Sequence, residues 1–319
     1  MTDSLLHNLT TTATGDLSLL AWAGWRLNVP SEWRPLKLSG TPDKGWMMVG
    51  NSEYACFSIH WQQLGKALAD GEAWARDRLK RLGLLPDIAP PAARHFDACA
   101  WAHEVQTEEH KRTTHWYGCA HGAKLLLGVK INGVLRKTGS ELVTDLVLPS
   151  LRTLPADAAT PWAMYDLSFV TPPGFTLIHR HLFVGDVALK FGRGRGESLM
   201  LRQVYPGDLA LARRSSERWL AAYPFVEHRR LNSSSAKTSP WTDTTGRGLI
   251  GVAREGCKRL GFPLGRLMPR WNRAIAAYDP TLNRLLIAEH SAGSPPDPAV
   301  SDAAINRMNE HAREVGFDA

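Results

Sequence analysis

Cysteine is scarce, with four residues in 319, too few for a disulfide-stapled scaffold in a chain of this length. No apolar run approaches the ~18–20 uninterrupted residues that a membrane-crossing helix requires. The opening segment MTDSLLHNLT carries acidic Asp3 and no basic stretch, so a secretory leader is not expected. Together these shortages predict a soluble, cytoplasmic chain with reduced thiols. Reaction-grade motifs are missing as well: no serine nucleophile elbow is found, and no carboxylate pair stands out.

What is present is ordinary globular material, 44% hydrophobic and 22% charged, in a length that suits two domains. The charge is uneven. Net charge is +7 with a pI near 9.4. Residues 1–160 sum to +1 and residues 161–319 to +6, with +10 in residues 171–270 alone. Such a stretch suits an acidic protein surface, a nucleic acid or an anionic membrane face.

The two halves read alike. Trp25–Pro30 opens the first with an alternating strand, and Tyr165–Val170 followed by Thr171-Pro172-Pro173-Gly174 opens the second. Longer alternating segments follow at Ala55–Trp61 and Ser198–Val204. Asp70 and Asp208 are each placed to cap a helix, the first stopped by Gly83 and the second by Pro224. Strands are then predicted at 95–105, 113–121 and 124–131, with a helix from about Ser140 that Pro149 shortens. Their counterparts are strands near 248–254, 273–278 and 284–289 and a helix near 301–315. Offsets of 140 (Arg26 to Asp166), 138 (Asp70 to Asp208) and 160 (Leu125 to Leu285) imply extra residues late in the second half. The expected architecture is α+β: a flexible tail at 1–14, then two similar units at 15–157 and 158–319. Each would be an antiparallel sheet packed by helices.

The Val29-Pro30 and Trp33 segment, the strand–helix–strand–helix order and the length near 150 per unit resemble the PsbP-like α+β group. That group includes photosystem assembly proteins and the Mog-type nuclear-transport factor. The resemblance implies a role in binding other proteins rather than in catalysis, and it transfers no functional residue.

A first candidate site lies on two predicted strands joined by a turn near Glu109. Antiparallel pairing about that turn sets Cys99 opposite Cys119 and His103 opposite His115. Two thiolates and two imidazoles are ligands that zinc accepts, which makes these four residues a candidate metal site. A second candidate is the segment 254–273, predicted to be a long loop. Its six basic residues, Arg254, Lys258, Arg259, Arg266, Arg270 and Arg273, stand against the single acidic Glu255. They are interleaved with Leu260, Phe262, Leu264, Leu267, Met268 and Trp271, a composition suited to an interface.

A third candidate is Phe191–Glu197, where Arg193 and Arg195 alternate with glycines as at a hairpin tip. It matches neither phosphate-loop pattern. The residues thus favour a non-enzymatic binding or assembly factor. It would use Arg254, Lys258, Arg259, Arg266, Arg270, Trp271, Arg273, Arg193 and Arg195 on a protein partner with an acidic surface. Nucleic-acid association and a zinc-dependent role for Cys99, His103, His115 and Cys119 are the alternatives, and no other cofactor is implied.

Overall fold

The computed structural model describes residues 17–81, 99–107, 111–120, 124–131, 142–154, 158–165, 167–194, 196–221, 236–258 and 270–309. Contacts divide the chain into two compact units, Met1–Ala156 with Pro161–Tyr165, and Asp157–Thr160 with Asp166–Ala319. The expectation of an α+β fold is overturned. Among the described residues, strands are far more numerous than helices and the sheets are antiparallel, so the fold is β-rich. The helices among the described residues are short, and none of them is long and apolar enough to cross a membrane.

Unit 1 begins with a hairpin, β1 (Leu17–Trp22) and β2 (Trp25–Pro30). A meander follows, β3 (Arg34–Gly40), β4 (Lys44–Gly50) and β5 (Ala55–Gln63), and then α1 (Gly71–Arg81). A second meander, β6 (Cys99–Thr107), β7 (Lys111–Ala120) and β8 (Leu125–Ile131), returns β8 alongside β5. The six strands therefore lie in the order β3-β4-β5-β8-β7-β6. Alternation drives the assembly. Phe57, Ile59 and Trp61 on β5 share a buried face with Met47, Val49, Leu127, Val129 and Ile131, and Trp25 meets Trp61 at 6.1 Å between rings. Asp70 caps α1 by accepting from the Ala73 N–H at 3.0 Å, and Arg78, Lys80 and Arg81 occupy the last turn, where the helix dipole favours them. The helix expected from Ser140 is instead an irregular π turn, Val143–Val147, running into a 3-10 turn, Leu148–Ser150. Pro149 sits in that tighter turn, where its missing N–H costs least. Short β9 (Arg152–Thr153) pairs with β2, and Ala163 of β10 (Thr160–Met164) pairs with Ala21 of β1.

Unit 2 repeats this order. After β11 (Leu167–Thr171) come β12 (Thr176–Phe183), β13 (Asp186–Arg193) and β14 (Glu197–Val204). Two short helices follow, α2 (Gly207–Arg213) and α3 (Ser216–Ala221), where a single helix was expected. Pro206 occupies the N-cap position of α2, and Asp208 lies within its first turn. Then come β15 (Lys237–Thr242), β16 (Ile250–Lys258), β17 (Arg270–Asp279) and β18 (Arg284–Ala292), in the order β12-β13-β14-β18-β17-β16-β15. Without β15, this is the strand order of the unit 1 sheet. The connection between β16 and β17 spans 259–269, against 108–110 between β6 and β7, which accounts for part of the extra residues of the second half; the larger part precedes β16, in the stretch that carries β15.

The two faces of the unit 2 sheet are both covered. One packs Ala188, Met200, Val204, Ala274, Ala276, Leu285 and Ile287 against α2 and α3 through Ala210, Leu220 and Trp219. The other packs Phe191, Leu199, Leu201, Ile275 and Ala288 beneath β11 and α4 (Pro298–Arg307), with Phe169 edge-on to Phe191 at 5.6 Å. Asp297 caps α4 by accepting from the Ala299 N–H, and Asn309 pins its far end. The Asn309 backbone and side chain bond Ser168 of β11, and its amide donates to Gln203 of β14 at 2.6 Å. Phe191→Ala should therefore cost about 3–5 kcal/mol. Denaturant titration should show the loss in the transition of unit 2 alone. An unchanged transition would contradict this packing.

Candidate functional site

Register fixes which segments share an end of the unit 2 sheet. Val204 lies opposite both Asp186 and Leu285, so the β12–β13 turn, the start of α2 and the start of β18 stand at one end. At the opposite end lie the β13–β14 turn and the root of the 259–269 connection.

The first end is built tightly from backbone. Gly185 has φ +78°, and a Cβ there would approach the Tyr205 carbonyl oxygen to 2.5 Å, so glycine alone fits the turn. The Tyr205 N–H donates to the Gly185 carbonyl at 2.8 Å. Asn283 receives the start of α2, its carbonyl accepting from the Gly207 N–H at 2.7 Å and its side chain from the Asp208 N–H at 2.9 Å.

On this rigid base sit four outward-facing apolar side chains. Phe183 is 65% exposed, Val184 fully, Tyr205 53% and Leu209 54%. The His181 ring lies 4.4 Å from that of Phe183, and the Arg284 guanidinium stands 6.0 Å from the centre of the Tyr205 ring. Exposed Arg213, Arg214 and Arg218 line α2 and α3. The corresponding hairpin of unit 1, Gly40–Lys44, is polar, and the Trp61 indole N–H ties it down through the Thr41 and Pro42 carbonyls at 3.1 and 3.0 Å.

Toward the other end lie those of the singled-out arginines that belong to the described residues, in a different state from that expected. The segment 254–273 is not a loop throughout, since β16 carries it to Lys258 and β17 resumes at Arg270. Arg254 and Arg273 fall on opposite faces of the sheet, because Arg254 pairs with Ala274, the neighbour of Arg273. Arg273 is buried, donating to Glu255 at 2.6 Å, to both oxygens of Asp302 at 2.9 Å and to Ser301 at 2.9 Å. It is a bracket between β16, β17 and α4. Beside it, Trp241 donates to Asp302 at 2.8 Å, on the wall of a cavity of about 290 Å³. Trp271 is half-buried opposite Cys257, and Lys258 and Arg270 are register partners at the last rung. Arg259 and Arg266 lie outside the described residues, as does Arg195.

Arg193 holds Glu197 through two bonds, 2.8 and 2.7 Å, and stacks 4.5 Å over Phe175. Glu197 also meets the buried His290 at 3.0 Å. The Arg193 hydrogen bonds, followed by those from His290, hold the Glu197 carboxyl below the ordinary 4.5.

In unit 1 the register sets Cys99 against Cys119 and His103 against His115. The expectation that these four converge fails on spacing. Four residues along a strand separate the two pairs by about 13 Å. Bonds of ~2.0–2.3 Å cannot bring both pairs to one zinc ion. Among the described residues no other group of three or more His, Cys, Asp or Glu is placed to hold a metal.

Sequence reasoning missed Phe183, Val184, Tyr205 and Leu209. One signal was available: Phe183-Val184-Gly185-Asp186 sets two large apolar residues at a glycine turn, where polar residues are the rule.

No family model matches the chain, and no curated protein matches it. Among solved structures, a protein from Bacteroides thetaiotaomicron is similar over 47% of this chain and 51% of its own, at 14% identity and a TM-score of 0.32. The chain thus spans about half of that protein. The immunity protein TplEi of the T6SS from Pseudomonas aeruginosa, in its apo structure, is similar over 92% of this chain and 96% of its own, at 9% identity and a TM-score of 0.34. Neither likeness is close enough to transfer a role.

The Glu197 pair makes a prediction with a definite sign. A carboxyl whose folded pKa is depressed adds stability above its unfolded value near 4.5, and that stability fades as pH falls through the lower folded value. Glu197→Gln should therefore flatten the acid limb of the stability–pH curve and lower stability near neutrality. An acid limb identical to wild type would show that the pair is not coupled to folding.

Proposed function

We propose that the protein is a non-catalytic binding factor that docks a protein with an acidic surface through unit 2. The observation that carries this is the cluster Phe183, Val184, Tyr205 and Leu209, exposed on a base held by backbone hydrogen bonds. Contiguous exposed apolar groups cost solubility unless something covers them, and aromatic residues with arginine at the margin are typical of interface centres. Arg284 stands beside Tyr205, and the exposed Arg213, Arg214 and Arg218 on α2 and α3 add positive charge to the same unit, which favours an acidic partner. The rigid base lowers the ordering cost of association. The polar character of the matching hairpin in unit 1 supports the same reading.

The basic root at Lys258 and Arg270 stands at the far end of the same sheet, and the sequence segment 254–273 is a second candidate to test against the first. The experiment is co-purification from the native source after nuclease treatment, at moderate salt, with two variants beside wild type. Phe183→Asp combined with Val184→Asp should lower recovery of a stoichiometric protein companion at least tenfold, with unchanged thermal unfolding. Arg259→Glu, Arg266→Glu and Arg270→Glu together should lower it less. Loss confined to the arginine variant would move the interface to 254–273. A companion that nuclease treatment removes, bound in a way that falls steeply with salt, would replace the protein reading with a nucleic-acid one.

A further inference from the structure

We propose that Cys99 and Cys119 form a reversible cross-strand disulfide that locks the edge hairpin of unit 1. The observation is the register: the Cα atoms of these two residues are direct partners on β6 and β7. Antiparallel partners lie about 4.5–5.5 Å apart at Cα and share a face of the sheet. A disulfide spans Cα separations of about 4.4–6.8 Å, a range that includes the spacing of antiparallel partners.

The remaining cysteines are placed differently. Cys56 is fully buried in β5, and burial pushes its thiol up to about 12, which leaves almost no thiolate to react. Cys257 belongs to unit 2, where its register partner is Trp271. Cys99 and Cys119 are thus the cysteine pair that strand register brings together among the described residues.

The oxidant is a low-molecular-weight disulfide such as glutathione disulfide. One of the two thiolates attacks a glutathione sulfur, breaks its S–S bond and releases one glutathione thiolate. The second then attacks the protein sulfur of the mixed disulfide, forms the Cys99–Cys119 bond and releases the second glutathione. Two protein thiols are oxidised, one disulfide is reduced to two thiols, and the protons pass to the departing sulfurs.

The bond has a clear structural consequence. β6 is the edge strand of the unit 1 sheet, and register in an edge strand is open to slippage. A covalent rung fixes it, and closing the chain between 99 and 119 should raise the melting temperature of unit 1 by roughly 5–10 °C.

The test uses the intact chain equilibrated in glutathione buffers from reducing to oxidising, quenched with N-ethylmaleimide and digested with trypsin without reduction. Cleavage after Arg94, Lys111, Arg112 and Lys124 separates Cys99, in 95–111, from Cys119, in 113–124, so the bond joins two peptides. The expected result is that linked pair from monomeric protein, together with the higher melting temperature of the oxidised form. Cys99→Ser should abolish both, and Cys257→Ser neither. The proposal is overturned if both cysteines carry maleimide after the chain has been unfolded and refolded in the oxidising buffer. A bond joining two chains, or one using Cys257, would overturn it as well.

Discussion

Everything positioned in unit 2 depends on one pairing, β14 against β18, seven residues long from Ser198↔Ser291 to Val204↔Leu285. The strands on either side form two separate antiparallel runs, which this pairing joins into a single sheet. It also decides which turns meet. The β12–β13 turn, the start of α2 and the start of β18 are gathered at one end, with Lys258 and Arg270 at the other. The β5–β8 pairing does the same in unit 1. Antiparallel pairs of such sequence separation cost loop-closure entropy, which the buried faces must repay. Phe57, Ile59 and Trp61 in one unit, and Leu199 and Leu201 in the other, supply that burial.

The charged and polar groups inside unit 2 mostly hold its layers together. Arg273 brackets β16 to α4, Asn309 fastens the end of α4 to β11 and β14, and Arg202 grips Asp186 through two bonds of 2.7 and 2.6 Å while its guanidinium lies 4.9 Å from the Trp219 ring. A buried charge without a partner is expensive, and paired groups of this kind are poorly suited to meet another molecule. Exposed Phe183 and Tyr205 present the opposite case, with apolar area kept in water on a frame that does not yield. That contrast, rather than net charge, is what the proposed binding surface rests on.

Much of the duplication was legible because period-two alternation marks a half-buried strand. Trp25–Pro30, Ala55–Trp61 and Ser198–Val204 all show it, and cross-strand symmetry about Glu109 gave the Cys99↔Cys119 register. The helix content was overestimated at Ser140 and around Asp208. Local caps and spacing favour helix there, yet the chain makes only an irregular turn in the first case and two short helices in the second. The convergence of Cys99 with His103 failed because a shared strand face says nothing of distance along it. Arg273 looked like an interface arginine because its partners Ser301 and Asp302 lie 28 and 29 residues away in sequence. The exposed cluster escaped notice for a related reason: Val184 and Tyr205 become neighbours only once β13 and β14 are paired.

The measurement that bears most directly on the proposed binding role is hydrogen exchange of the chain alone and in complex with any protein recovered by the co-purification. Amides of the β12–β13 turn and of 205–209 should slow at least tenfold in the complex, while those of β6 and β7 stay unchanged. Protection confined to 254–273 or to unit 1, with the turn at Val184 exchanging as in the free chain, would contradict the account.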